Sequence, residues 1–169
     1  MPIKSLFEPA FINVAIHIRR GDVSETANEY RFTSNTVYLK MMETMRHAIA
    51  DISATPVKFH VFSEGQKDKD FAEFAGFDDI EYHLSDSLVS AVHHLIIADV
   101  LVISRSGFSA LCGRLRHPDR LTLYAEGFPL SHARKSWPWV SFNNDSGSFN
   151  IRFFQDKLHV SLRVPPDFP

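Results

Sequence analysis

Three short polar clusters in this sequence hold the chemistry needed to grip an anion. The first is His17-Ile18-Arg19-Arg20-Gly21-Asp22. Adjacent residues at a strand end diverge, so one of Arg19 and Arg20 can set a bidentate fork against phosphate oxygens. The other then anchors the loop by pairing with Asp22 or another carboxylate. The second cluster is Ser104-Arg105-Ser106-Gly107-Phe108-Ser109. There Gly107 admits close backbone approach, the free N–H groups of a helix start face outward, and the Ser104 and Ser106 hydroxyls add donors. Taken alone, Ser106 is better explained as a plain helix N-cap. Ser63-Glu64-Gly65 is the third. Neither a G-x-G-x-x-G fingerprint nor a Walker A loop is present, which removes the common NAD and ATP readings.

Other chemistry-bearing residues are weaker signals. The nine histidines include His93-His94, side by side, and His17, His60 and His83 on different strands. No pair has the i,i+4 spacing or neighbouring cysteines of a zinc site, so no metal site is expected. His17 reads either as a core histidine or as a contact to a base. Asp68-Lys69-Asp70 has the form of a divalent-metal D-x-D but lies in a charged helix-start segment, where a solvated face explains it. Glu25 and Glu29 sit in an acidic loop that offers a general base. Arg20-Gly21-Asp22 matches an integrin-type tripeptide, which chance accounts for.

Something must bring these clusters together, and the apolar pattern supplies it. Residues 12–18, 57–62, 80–84, 100–103 and 121–125 read as short strands. Val100-Leu101-Val102-Ile103 has the fully apolar character of a strand buried on both faces. Between the strands lie amphipathic stretches, one capped by Thr33 or Ser34, a short one around Phe71 and Phe74, one capped by Ser85 or Asp86, and one carrying Phe108 to Leu115. Such alternation predicts an α/β, Rossmann-like, doubly wound parallel sheet of about five strands over residues 1–125. Residues 126–169 read as an irregular, aromatic-rich C-terminal extension with a hairpin of Ile151–Phe154 and His159–Val164 and a Pro-rich end. In such sheets ligands sit beyond the C-terminal strand ends, where strand order reverses. All three clusters fall at such ends.

Composition narrows the function classes. The 169 residues are 44% hydrophobic and 22% charged, with 18 basic and 20 acidic side chains. No Lys/Arg run exceeds two, so no broad basic face for nucleic acid is expected. Cys112 is the single cysteine, and no internal disulfide can form. No apolar stretch has a membrane span's length, and the N-terminus lacks a signal peptide's pattern. Were these residues the whole chain, a cytoplasmic location would be expected.

Taken in order, His17-Ile18-Arg19-Arg20-Gly21-Asp22, Phe62-Ser63-Glu64-Gly65 and the run from Ala98 to Ser109 resemble three motifs of one superfamily. It includes the α1,2- and α1,6-fucosyltransferases and the protein O-fucosyltransferases, and the first cluster is similar to its H-x-R-R-x-D motif. The resemblance covers roughly residues 12–116. It implies the C-terminal, donor-binding lobe of a GT-B enzyme that takes GDP-fucose as donor substrate, inverts the sugar and needs no metal or other cofactor. It gives Arg19 the donor β-phosphate and His17 a guanine contact. Arg20 and Asp22 take supporting roles, and the Ser106–Gly107 turn supplies phosphate N–H groups. Ser63, Glu64, Ser104, Phe108 and Ser109 complete the implied donor site. Where the α1,6 enzymes carry a guanine-holding carboxylate, this chain has Ala91, with Asp86 more than a turn away. The base position aligns near Ala27, flanked by Glu25 and Glu29.

The expected partners are therefore a nucleotide sugar, a carbohydrate acceptor, and an N-terminal lobe or a second copy that supplies the missing wall. Trp137 and Trp139 are expected to expose apolar surface for that contact. A nucleotide-binding or interaction module that kept the pocket but lost transfer is the alternative.

Overall fold

The computed structural model describes residues 5–128 and 137–164. The Pro-rich end, residues 165–169, lies outside them. Strand β1 (Ile12–Ile18) leads to helix α1 (Asn35–Ala50), which Ser34 caps through its hydroxyl on the Val37 N–H. Then follow β2 (Val57–Ser63), the short α2 (Lys67–Asp70) with a 3₁₀ turn at Ala72–Phe74, and β3 (Ile80–His83). Helix α3 (Leu88–Ile97), β4 (Val100–Ile103), α4 (Gly107–Leu115) and β5 (Leu121–Ala125) complete the expected alternation. The cap of α3 is Ser87, one or two residues beyond the expected position. Its extended backbone lets its hydroxyl accept from the Ser90 N–H, while Asp86 binds the Ser90 hydroxyl instead.

The C-terminal stretch departs from its sequence reading. Trp139–Phe142 forms a sixth strand, β6, parallel to β5, with Thr122 opposite Trp139 and Ala125 opposite Phe142. Four residues of mixed type between turn signals carry too little alternation to announce a strand. The expected hairpin is instead one helix, α5 (Ile151–Ser161), capped by Asn150. Phe154, Leu158 and Ser161 recur at helical spacing and are all buried. Trp137 and Trp139 are only half-buried; Trp139 lies against Gly113 and Tyr124.

The sheet is six-stranded, wholly parallel, and ordered β3-β2-β1-β4-β5-β6. Alternating side chains of its strands feed two cores. Val14, Ile16, Phe59, Val61, Val102 and Leu123 pack with the methionines of α1 and with Phe154 and Leu158 of α5. Ala15, Phe62, Leu101 and Ile103 pack with Leu95 of α3 and with Ala110 and Cys112 of α4. Among the described residues no helix is long and apolar enough to cross a membrane.

Two arginines bind the second layer to the sheet. Buried Arg116 donates to the carbonyls of Leu95 and Ala98, each at 2.7 Å, and so serves acceptors that the end of α3 leaves unpaired. Burial lowers its pKa to about 9. Arg120 pairs with Asp99 at 2.7 Å, while Asp99 also accepts from the Asn13 N–H. The aspartate of the third motif thus ties β1 to the start of β4.

Gly147 tests how the C-terminal elements seat on α1. Its φ is +73°, and an added Cβ would lie 2.5 Å from the Val37 carbonyl and 3.2 Å from the Met41 nitrogen. Gly147→Ala is expected to destabilise the fold by about 2 kcal/mol or more. Urea denaturation measures this, and an unshifted midpoint would contradict the seating.

Candidate functional site

Strand order reverses between β1 and β4, and a cavity of about 700 Å³ opens beyond their C-terminal ends. Its size suits a small-molecule ligand. All three clusters contribute to its wall: His17, Arg19, Arg20 and Asp22 from the first, Ser63 and Glu64 from the next, and Ser106, Gly107 and Phe108 from the last. A second cavity of about 440 Å³, by the ends of β5 and β6, is lined by Glu126 and neutral side chains with no cation. It is poorly matched to an anion.

The arginines divide as extended geometry requires. Arg20 turns inward. It donates to the carbonyls of Arg19 (2.8 Å) and Thr33 (3.1 Å) and to the Asn35 amide oxygen (2.5 Å), with its guanidinium 4.7 Å from the Phe32 ring centre. The Asn35 amide nitrogen in turn donates to the Asp70 carbonyl and to Glu73, both at 2.8 Å. Asp22 pairs with Arg19 rather than Arg20, through both Nε and Nη2. That bond raises the pKa of Arg19 and lowers that of Asp22. Because Asp22 is exposed, an incoming anion can take over part of the Arg19 fork while water solvates the carboxylate.

On the opposite wall, Ser106 occupies the N-cap position of α4, yet its side chain makes no capping bond. The hydroxyl and the first-turn N–H groups of Gly107 and Phe108 are consequently left to the cavity. Nothing lies within 4 Å of a Cβ built on Gly107, so the space above this helix end is open. Ser104 and Ser109 are buried and do not line the cavity. The Ser104 hydroxyl instead bonds His17 Nδ1 at 2.7 Å and lies 3.4 Å from the Ser109 hydroxyl. Burial, helped by the Arg19 charge, lowers the His17 pKa to about 4, so its ring is neutral at physiological pH.

Glu64 lines the cavity, and its carboxylate occupies the space a Cβ on Gly21 would need. With φ at +85°, Gly21 turns the chain away from β1 there. The Ser63 hydroxyl donates to the Ile18 carbonyl at 2.6 Å, locking the ends of β1 and β2 together. Glu25 and Glu29 are exposed and lie outside the cavity wall. Phe62, His83, Asp86, Leu88 and Ala91 join that wall without having been singled out as a group. The available signal was positional, since Phe62 and His83 pair across β2 and β3 beside Ser63.

Neither a protein-family model nor a curated protein matches the chain, whereas solved structures do. The fold is similar to that of E. coli heptosyltransferase WaaC with ADP, with a TM-score of 0.53 and 15% identity, over 92% of this chain and 46% of that one. It is also similar to TarM, with a TM-score of 0.51 and 16% identity, over 96% of this chain and 31% of that one. For α,α-trehalose 6-phosphate synthase from Burkholderia multivorans the TM-score is 0.50 and the identity 9%, over 91% and 35%. This is the Rossmann-like fold of a GT-B lobe. The chain spans less than half the length of each of these structures. At these identities the likeness is one of fold and does not reach the fucosyltransferase family.

The His17 environment has a measurable consequence. Its folded pKa of about 4 lies below the ordinary 6.5, so the unfolded chain takes up the proton first as pH falls. Stability is untouched by this group above about pH 6.5 and drops below it, by about 1.4 kcal/mol per pH unit, toward the folded value. His17→Gln should therefore lose less stability than the parent between pH 7 and pH 5 in denaturant titrations. Equal losses would contradict the burial of this ring.

Proposed function

We propose that this chain is the donor-binding lobe of a GT-B glycosyltransferase that takes a nucleoside diphosphate sugar. On the motif resemblance, that donor is GDP-fucose and transfer proceeds with inversion. The observation that carries the reading is one cavity holding Arg19, the Ser106 hydroxyl and the open N-terminus of α4 at the strand-order reversal. These groups suit a diphosphate leaving group. As the acceptor oxygen bonds to the anomeric carbon and the bond to the β-phosphate breaks, negative charge grows on the phosphate, and fixed donors there lower the barrier. The acceptor's proton must pass to a base. Glu25 and Glu29 are this lobe's candidates, and their exposed loop would have to meet the acceptor against an opposing wall.

Calorimetry with GDP separates the two arginines. Arg19→Ala is expected to weaken binding about ten- to hundred-fold through loss of a charge-assisted contact. Arg20→Ala should mainly lower stability, since that side chain holds the loop together. Magnesium should leave GDP affinity unchanged if arginine and amides meet the diphosphate. Unaltered affinity in Arg19→Ala, or a strict magnesium requirement, would refute this placement.

Transfer is a separate matter from binding. Holding the acceptor in line with the anomeric carbon is worth about 7–11 kcal/mol of barrier, and an open sheet end presents one wall of such a site. The monomer alone should bind the nucleotide with little or no transfer from radiolabelled GDP-fucose to simple sugars. Robust turnover by a species shown monomeric by light scattering would contradict this. A module that binds nucleotide without catalysing transfer would retain binding even when supplied with a second lobe, and would still turn over nothing.

A further inference from the structure

Beneath the cavity, on the face of β2 and β3 that α3 covers, lies a chain of buried polar side chains whose protons can be counted. Both N–H groups of the Asn13 amide are committed, to the Glu8 and Phe11 carbonyls at 3.0 Å each. Its oxygen can therefore only accept, and His60 Nε2, 3.1 Å away, must donate to it. His60 is fully buried, and burial favours its neutral ring. With Nε2 protonated, His60 Nδ1 is a bare lone pair. It faces His83 Nε2 at 3.1 Å, which must then donate in turn. That leaves His83 Nδ1 as a lone pair 3.8 Å from the Asp86 carboxylate. That nitrogen and the exposed Asp86 both line the open cavity, where water can serve them while no ion is bound.

A cation can take the place of the proton shared between the two rings. The His83 proton moves from Nε2 to Nδ1, where it faces Asp86, and both inner nitrogens become ligands. Tetrahedral coordination at 2.0–2.1 Å places neighbouring nitrogens about 3.3 Å apart, close to the 3.1 Å found here. Glu81 adds a third donor atom, with Oε2 3.9 Å from His60 Nδ1 and all three groups within 4.8 Å of one another. We infer that His60, His83 and Glu81 form a binding site for a divalent ion of the zinc class, clamping edge strand β3 to β2 under the cavity wall.

The surroundings have the form of an outer ligand shell. His60 donates its second nitrogen to an amide oxygen locked in orientation, as metal-bound histidines commonly do. Lys58 now holds Glu81 at 3.1 Å but also pairs with Glu8, so it keeps a carboxylate when Glu81 turns to the ion. His94, which also faces this region, is already satisfied. Its Nε2 accepts from the Leu6 N–H at 3.0 Å, and its Nδ1 donates to the Ser90 carbonyl at 2.8 Å. Glu81 is 40% exposed, which gives an ion a path from solvent. Sequence spacing conceals the site because its donors come from two strands that become neighbours only in the sheet.

The test titrates zinc and cobalt into the chelator-treated full chain. The expected result is one ion per chain, a raised Tm with zinc, and visible d–d absorption of a four-coordinate nitrogen and oxygen site with cobalt. His83→Gln should abolish the cobalt absorption. Glu81→Gln, at a half-exposed position the core does not need, should weaken zinc by more than the roughly 10- to 100-fold that losing an outer-shell partner costs. His159→Gln, on the exposed side of α5, should bind as the parent does. Absence of stoichiometric binding, or unchanged zinc affinity in Glu81→Gln, would overturn the site.

Discussion

The half-buried guanidinium of Arg20 is the contact on which the cavity's geometry depends. A charge partly withdrawn from water is stabilised by acceptors inside the protein. It finds them on three separate stretches: the carbonyl of its own neighbour Arg19, the Thr33 carbonyl just before α1, and Asn35 in the first turn of α1. Asn35 carries the connection on to Asp70 and Glu73, beyond the end of β2. The loop after β1 is therefore fixed at its base, and Arg19, the next side chain along, is held facing the cavity. One arginine spends its charge on architecture so that the other can offer its charge to a ligand.

The opposite wall works by omission. Helix α4 begins at a serine whose side chain does not cap it, and its first-turn amides face open space. A helix start normally recovers about 1 kcal/mol from such a cap. Here the donors are left for a ligand, with the positive end of the helix dipole behind them. Of the buried serines on either side, Ser104 bonds His17, whose neutral ring lies against Phe108, and Ser109 lies against Ser104. The two walls differ in kind, one a side-chain fork already paired with an exposed carboxylate, the other a set of backbone donors at a helix start.

The third side of the cavity belongs to β2 and β3. Phe62 stacks on His83 at 4.4 Å, and His83 joins the polar chain that runs back through His60 to Asn13 at the start of β1. Since β3 is a short edge strand, it has fewer ladder bonds than its neighbours to hold it in register. Side-chain contacts across the β2–β3 pair take on more of that work. Any ion or substitution that tightens this network also stiffens the wall that carries His83, Asp86 and Leu88.

Much of the molecule was legible in the sequence, because strand and helix periodicities are local properties. Residues 12–18 read as β1 and form β1, and the apolar run at 100–103 is the fully buried strand its composition announces. The convergence of the three polar clusters also followed, from the rule that ligands sit where a parallel sheet reverses its order. Tertiary structure decided what local pattern cannot encode. β6 exists because β5 offers an unpaired edge, and α5 because Phe154 and Leu158 find the core beside α1. Which arginine turns inward depended on where Thr33 and Asn35 came to lie. That Ser106 leaves its helix uncapped, that Glu25 and Glu29 stay outside the cavity, and that His60 meets His83 were settled only by strand pairing and packing, which join residues far apart in sequence through contacts that spacing does not record.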